Sequence, residues 1–199
     1  MWVIFGLSVV TLALILWKLW HFMRLGVWGR APDLALKLWA GGNIAGASDS
    51  LGTQRALRKR MARAAMRHCL DPDLGPEEAR EETVQHAKML LSKANRGLRA
   101  IELVGTIAPL LGLFGTVLGM IAAFQALQEA GSRADPAALA GGIWEALLTT
   151  AAGMGVAMPA IAALTWFESQ TDRLRLDLEA IATRIHTRAP SLPQQMAAE

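Results

Sequence analysis

Apolar residues fall in three long runs, 1–17, 103–128 and 146–167, separated by segments in which charge returns every few positions. A helix crossing a hydrocarbon core of ~30 Å needs about 20 apolar residues, and each run approaches or exceeds that length. The pattern predicts an all-α membrane protein with three transmembrane helices. The polar stretches set the boundaries: transmembrane helix 1 over 1–22, a loop with short helices over 23–75, and one helix over 76–128 that becomes transmembrane helix 2. A turn over 129–136, transmembrane helix 3 with its extension over 137–188, and a disordered tail over 189–199 complete the chain.

The first run carries no basic segment ahead of its apolar stretch, and no small-x-small cleavage site follows that stretch before Lys18, so it reads as a span and not as a cleaved leader. Trp2, Trp17 and Trp20 suit two membrane interfaces, and Lys18 is expected to snorkel outward from the second. Beyond it, Pro32 and Asp33 predict a short helix through Trp39, closed by Gly41, Gly42 and Asn43. Ser48, Asp49 and Ser50 then offer an N-cap to a basic helix from Thr53 to Cys69. Six arginines or lysines surround its thin stripe of Leu57, Met61 and Ala64. Such a helix either meets anionic lipid headgroups or an acidic partner, or is solvated and serves only to orient the chain.

Pro76 followed by Glu77 and Glu78 is a good first helical turn. The apolar series Val84, Ala87, Leu91, Ala94, Leu98, Ile101 steps by three and four, and its next term is Gly105, which predicts one continuous helix with a weak point at Asn95 to Gly97. From there the small residues Gly105, Ala108, Gly112, Gly115, Gly119, Ala122 and Ala126 leave one face without bulk. Gly153 and Pro159 are the corresponding packing positions expected in the third span. In the extension of that span, Phe167, Leu174, Leu178, Ile181 and Ile185 keep amphipathic spacing to about Arg188.

Charge adds topology. Of 20 Lys and Arg, fifteen lie in residues 18–102 and four after Glu168, while the turn holds only Arg133. Basic loops are retained in the cytoplasm, so the expected orientation is N-terminus and turn outside, large loop and tail inside. This accounts for the net charge of +3 without nucleic acid. A single cysteine, Cys69, excludes an intrachain disulfide and a cysteine-based zinc site, and its pairing with His68 reads as incidental. No cofactor and no metal are expected.

Candidate chemistry within the spans is sparse. Glu145 is the only acid between Asp135 and Glu168. It either faces a protein or water-filled interior, with its pKa raised by desolvation, or lies hydrated near the outer interface. Thr116 follows Gly105 by three turns and is either helix-packing glue or a wall group for water. Thr149 shares a face with Glu145, whereas Thr150 is rotated by ~140° from it. The uncharged spans hold no nucleophile and base pair, so no enzyme is built from them.

The stretches Gly105-Thr-Ile-Ala-Pro-Leu-Leu-Gly-Leu-Phe-Gly-Thr-Val-Leu-Gly-Met120 and Gly142-Ile-Trp-Glu-Ala-Leu-Leu-Thr-Thr-Ala-Ala-Gly-Met-Gly-Val-Ala-Met-Pro-Ala160 resemble the ExbB/TolQ/MotA proton-channel family, ExbB most of all. The resemblance implies a multi-pass subunit of the bacterial inner membrane, assembled as a homopentamer around a single-span ExbD-like or TolR-like protein with a titratable aspartate. It further implies that proton flow drives a TonB-like protein that reaches the outer membrane. Family lumen threonines map onto Thr116 and Thr150, and the family glutamate of the third span maps onto Glu145; Thr149 adds a second hydroxyl, favoured by the face it shares with Glu145 and not by that mapping. Trp144 in place of a small residue, Thr165 in place of asparagine, and the short loop depart from the pattern. A Tol-type envelope system and a non-conducting membrane scaffold are the rival readings.

Overall fold

The computed structural model describes residues 2–29, 31–52, 56–130 and 135–188. Among them the chain is all-helical: α1 (Trp2–Leu25), α2 (Asp33–Ala40), α3 (Ile44–Leu51), α4 (Leu57–Leu70), α5 (Pro76–Asn95), α6 (Leu98–Ala130) and α7 (Pro136–Thr187). Helices α1, α6 and α7 are long and apolar enough to cross a membrane by length and composition. The chain divides into two compact units, one of Met1–Leu19 with Gly97–Phe167, the other of Trp20–Arg96 with Glu168–Glu199.

In the first unit α6 and α7 form a hairpin whose seam is made of small residues. A Cβ built on Gly105 would lie 2.9 Å from the Ile161 side chain, one on Gly119 2.7 Å from the Ala146 Cβ, and one on Gly142 2.9 Å from the Ala123 Cβ. The seam therefore returns at Ala123, five full turns after Gly105, and not at the expected Ala122 and Ala126, which are exposed. The hairpin keeps the 3.6-residue period of straight helices, whereas the expected series followed the 3.5 of a supercoil. Pro159, expected at the contact, is exposed one position off the seam, and Ala160 is buried in its place.

The predicted 76–128 helix is interrupted. It stops at Asn95, and Gly97 takes φ +85° before α6 begins at Leu98. Only glycine adopts that conformation freely, and a Cβ there would also meet the Trp17 ring at 2.5 Å. Lys18 corrects another expectation. The helix runs seven residues past it, so it is fully buried within α1 instead of reaching outward at the helix end.

The second unit packs α2 to α5 with the last turns of α7. Asn43 caps α3 by accepting from the Gly46 N–H at 2.8 Å, so Ser48, Asp49 and Ser50 lie inside a helix that the sequence pattern assigned to a cap. The expected start of the basic helix at 53–55 lies outside the described residues; α4 is helical from Leu57. Its buried face is wider than a thin stripe, adding Arg58, Ala62, Ala65 and Met66 to the three predicted positions. Arg58 is satisfied there by Asp177 of α7, with Nε and Nη2 donating to Oδ2 at 2.8 and 2.6 Å, and by the carbonyl of Val27. Glu78 accepts from the Gly75 N–H at 2.8 Å and fixes the start of α5. In α5 the buried line passes through Thr83, while Val84 is 43% exposed, because partners satisfy the Thr83 hydroxyl.

The predicted amphipathic stripe of α7 is buried at Phe167 in the first unit and at Leu174, Leu178, Ile181 and Ile185 in the second. The Trp39 indole donates to the Ile185 carbonyl at 3.0 Å. A half-open pocket of about 370 Å³ lies between α2, α3 and α4, with Arg63, Arg67 and Asp71 among its lining residues. The tail over 189–199 and residues 131–134 of the turn lie outside the described residues.

Candidate functional site

The hairpin of α6 and α7 brings together most of the polar groups singled out in the spans. At its narrowest point Gly112 faces Gly153. A Cβ on Gly112 would lie 3.0 Å from the Thr150 Cα and 3.1 Å from the Thr149 carbonyl oxygen. This approach lets two hydroxyls reach one backbone oxygen. Thr150 donates to the Gly112 carbonyl at 3.0 Å, and Thr149 shares its proton between the Ala146 carbonyl at 2.7 Å and Gly112 at 3.3 Å. The Thr149 hydroxyl also fills the space that a Cβ on Gly115 would take, 2.7 Å away.

Thr116 stands one turn beyond Gly112 and is half-buried at the edge of the seam. Its hydroxyl donates to the Leu113 carbonyl of its own helix at 2.6 Å. Together with Met120, Ile121, Phe124, Gln125 and Gln128 it lines an open groove of about 480 Å³ along α6. Gln125 and Gln128 give this groove amide donors and acceptors in an otherwise apolar stretch.

Glu145 is exposed, next to the buried Ala146, and Trp144 beside it is 70% exposed. Thr149 and Thr150 thus meet at Gly112 within this hairpin, while Glu145 does not join them. Thr165 is exposed and bonds back to Ile161 at 3.0 Å.

Two prolines open the backbone. Pro109 and Pro159 lie inside α6 and α7 and lack the N–H groups that would bond the carbonyls of Gly105 and Gly155. The hairpin therefore offers hydroxyls and spare carbonyl lone pairs, which can accept from water or a neighbouring donor. Threonine does not titrate at neutral pH.

The Gly112 carbonyl and Gly142 were not singled out by sequence reasoning. The stripe Gly142, Ala146, Thr149, Gly153, Ala157, Ala160 does carry a signal, since it repeats on α7 the spacing of small residues seen on α6. The carbonyl carries none, because every residue has one.

Residues 53–180 match the MotA/TolQ/ExbB proton channel family. The chain belongs to this family. The match takes in α4, α5, α6 and most of α7, and so includes the whole α6–α7 seam. Among individual relatives, the biopolymer transport protein exbB1 of Vibrio cholerae is 44% identical over 85 residues, 43% of this chain and 37% of that protein. The biopolymer transport protein ExbB of Neisseria gonorrhoeae is 39% identical over 99 residues, 50% of this chain and 44% of that one. The Tol-Pal system protein TolQ of Pseudomonas aeruginosa is 33% identical over 107 residues, 52% of this chain and 46% of that one. In each case the matched stretch spans less than half of the relative's own length.

Proposed function

We propose that the chain is a subunit of a proton channel in the bacterial inner membrane, oriented with its N-terminus outside and its tail inside. It assembles as a homopentamer around an ExbD-like or TolR-like single-span protein. Proton flow through the complex drives a TonB-like protein for import across the outer membrane. Family membership supports proton conduction, and the biopolymer transport names of the relatives favour this system. The observation that carries the reading is the convergence of Thr149 and Thr150 on Gly112, with Thr116 one turn away at the mouth of a groove that also holds Gln125. In the assembled channel these groups line or border the lumen and hold water near the partner's carboxylate. Glu145 sits toward the outer proton entry or bonds across subunits.

The test is proton flux in liposomes containing this chain with its single-span partner. A potential-driven flux that Thr116→Val or Thr150→Val reduces, with assembly verified, supports the channel reading. A complex without flux identifies a membrane scaffold. The 33% identity to a Tol-Pal protein favours a second reading, the same channel in an envelope-integrity system. Complementation of strains lacking one or the other system separates the two.

A further inference from the structure

His68 and Cys69 are not incidental neighbours. They join Thr83 of α5 and His186 of α7 in one hydrogen-bonded cluster inside the second unit. Thr83 is 1% exposed, and its hydroxyl donates its only proton to the Ala79 carbonyl at 2.8 Å. Two imidazole nitrogens nevertheless lie on that oxygen, His68 Nδ1 at 3.1 Å and His186 Nε2 at 3.0 Å. Both must therefore carry hydrogen and donate. This leaves His186 Nδ1 as the acceptor of the neutral ring, and the Cys69 thiol, 3.4 Å away, donates to it. The His86 ring stands edge-on to His68 with centroids 6.4 Å apart.

The network is complete only while the His186 ring is neutral. A proton added at Nδ1 would point N–H at S–H and add a positive charge beside other positive charges. Arg80 of α5 bears on His186 itself, Arg60 and Arg67 of α4 with Lys93 of α5 bear on His86, and His68 bears on both. On α7 the residues one turn before His186, Ala182 and Thr183, are uncharged. The acids nearest in sequence are Glu82, exposed beside Thr83 on α5, and Asp71, which accepts from the backbone N–H of Asp73 at 3.1 Å. Among the described residues no three such side chains converge as metal ligands.

We propose that the Thr83, His68, His186 and Cys69 junction is an acid-sensitive latch that holds α4, α5 and the end of α7 together and opens when His186 is protonated. Burial lowers the pKa of both His186 and His86 from 6.5 and raises that of the Cys69 thiol, so thiol and ring stay a neutral pair. The open state binds protons more readily than the closed one. The latch is thus at full strength above about pH 6.5 and weakens as pH falls below it.

Cys69 is the only cysteine, so its labelling reads the latch directly and independently of proton flux. The rate of reaction of the full chain in lipid nanodiscs with a pyridyl disulfide, divided by that of the denatured chain at the same pH, gives a protection factor. Protection is expected to be constant from about pH 8 to about pH 7 and to fall by about pH 5.5, by up to roughly tenfold for each titrating histidine. His186→Gln keeps a donor for Thr83 and cannot titrate, so it should make the acid limb shallower, leaving only the part that His86 contributes. If His186→Gln is unprotected at every pH, His86→Gln replaces it, and the fall should then move to lower pH. A flat wild-type profile overturns the latch whether or not the variants fold. So does an unaltered acid limb in the variant used.

Discussion

Gly112 and Gly153 approach so closely that a Cβ on Gly153 would lie 3.0 Å from the Gly112 Cα and 2.6 Å from the carbonyl oxygen of Ala108. Both atoms belong to helix backbone and cannot swing aside. Gly153→Ala must push α6 and α7 apart and should cost about 1–3 kcal/mol of stability, as overpacking does. Gly155, two residues on, has nothing within 4 Å of its would-be Cβ. Gly155→Ala should be neutral or stabilise by up to ~1 kcal/mol through helix propensity. Reversible unfolding of the detergent-solubilised chain compares the two. Equal losses would remove the close approach as the cause.

The bond from Thr150 to the Gly112 carbonyl separates packing from conduction. Interhelical hydrogen bonds of this kind contribute only ~0.6 kcal/mol on average in membranes, so Thr150→Val should leave the hairpin folded and assembled. If the hydroxyl also holds lumen water, that substitution removes most of the proton flux and Thr150→Ser retains it. Flux measured alongside assembly checks this. Loss of flux in both variants would indicate a steric requirement at the site.

Arg58 is nearly buried and both of its contacts to Asp177 fall on one oxygen. Removing the carboxylate charge strands a guanidinium, at a cost of ~3–5 kcal/mol for a fully buried pair. The Asp177 side chain is 45% exposed, so solvent screens part of this, and Asp177→Asn should cost about 1–2 kcal/mol. The exposed Arg175–Glu179 pair on α7 supplies the contrast. Glu179→Gln should change stability by no more than about 0.5 kcal/mol. Chemical denaturation of both variants decides whether burial or mere pairing sets the value.

Much of this was legible in the sequence because it depends on run length and local spacing. The three apolar helices follow from the length of hydrocarbon they would cross, and the stripe from Leu174 to Ile185 from its 3.6-residue period. Helix α3 was hidden, since Gly46, Ser48, Asp49 and Ser50 are turn formers by propensity and only the Asn43 cap and burial of Ala47 and Leu51 make them helical. The seam register slipped by one residue at Ala123 because a 3.5 and a 3.6 period diverge only after several turns. The His186 cluster was out of reach. Its bonds to Thr83 and Cys69 span 103 and 117 residues, and no local pattern encodes such pairings.

Trp39 belongs to the same class of long-range contact and yields a test of how α7 ends. Helix α7 stops at Thr187, which puts the carbonyl of Ile185 in its last turn, where carbonyls lack intrahelical partners. The indole of Trp39, itself 1% exposed, donates to it. Trp39→Phe keeps most of the apolar volume and deletes the donor, leaving a buried carbonyl unsatisfied, which costs about 1–3 kcal/mol. The loss should be local, appearing as faster amide exchange over the last turn of α7 while the α6–α7 hairpin keeps its protection. Uniform loss across both regions would instead mean that Trp39 acts through its bulk.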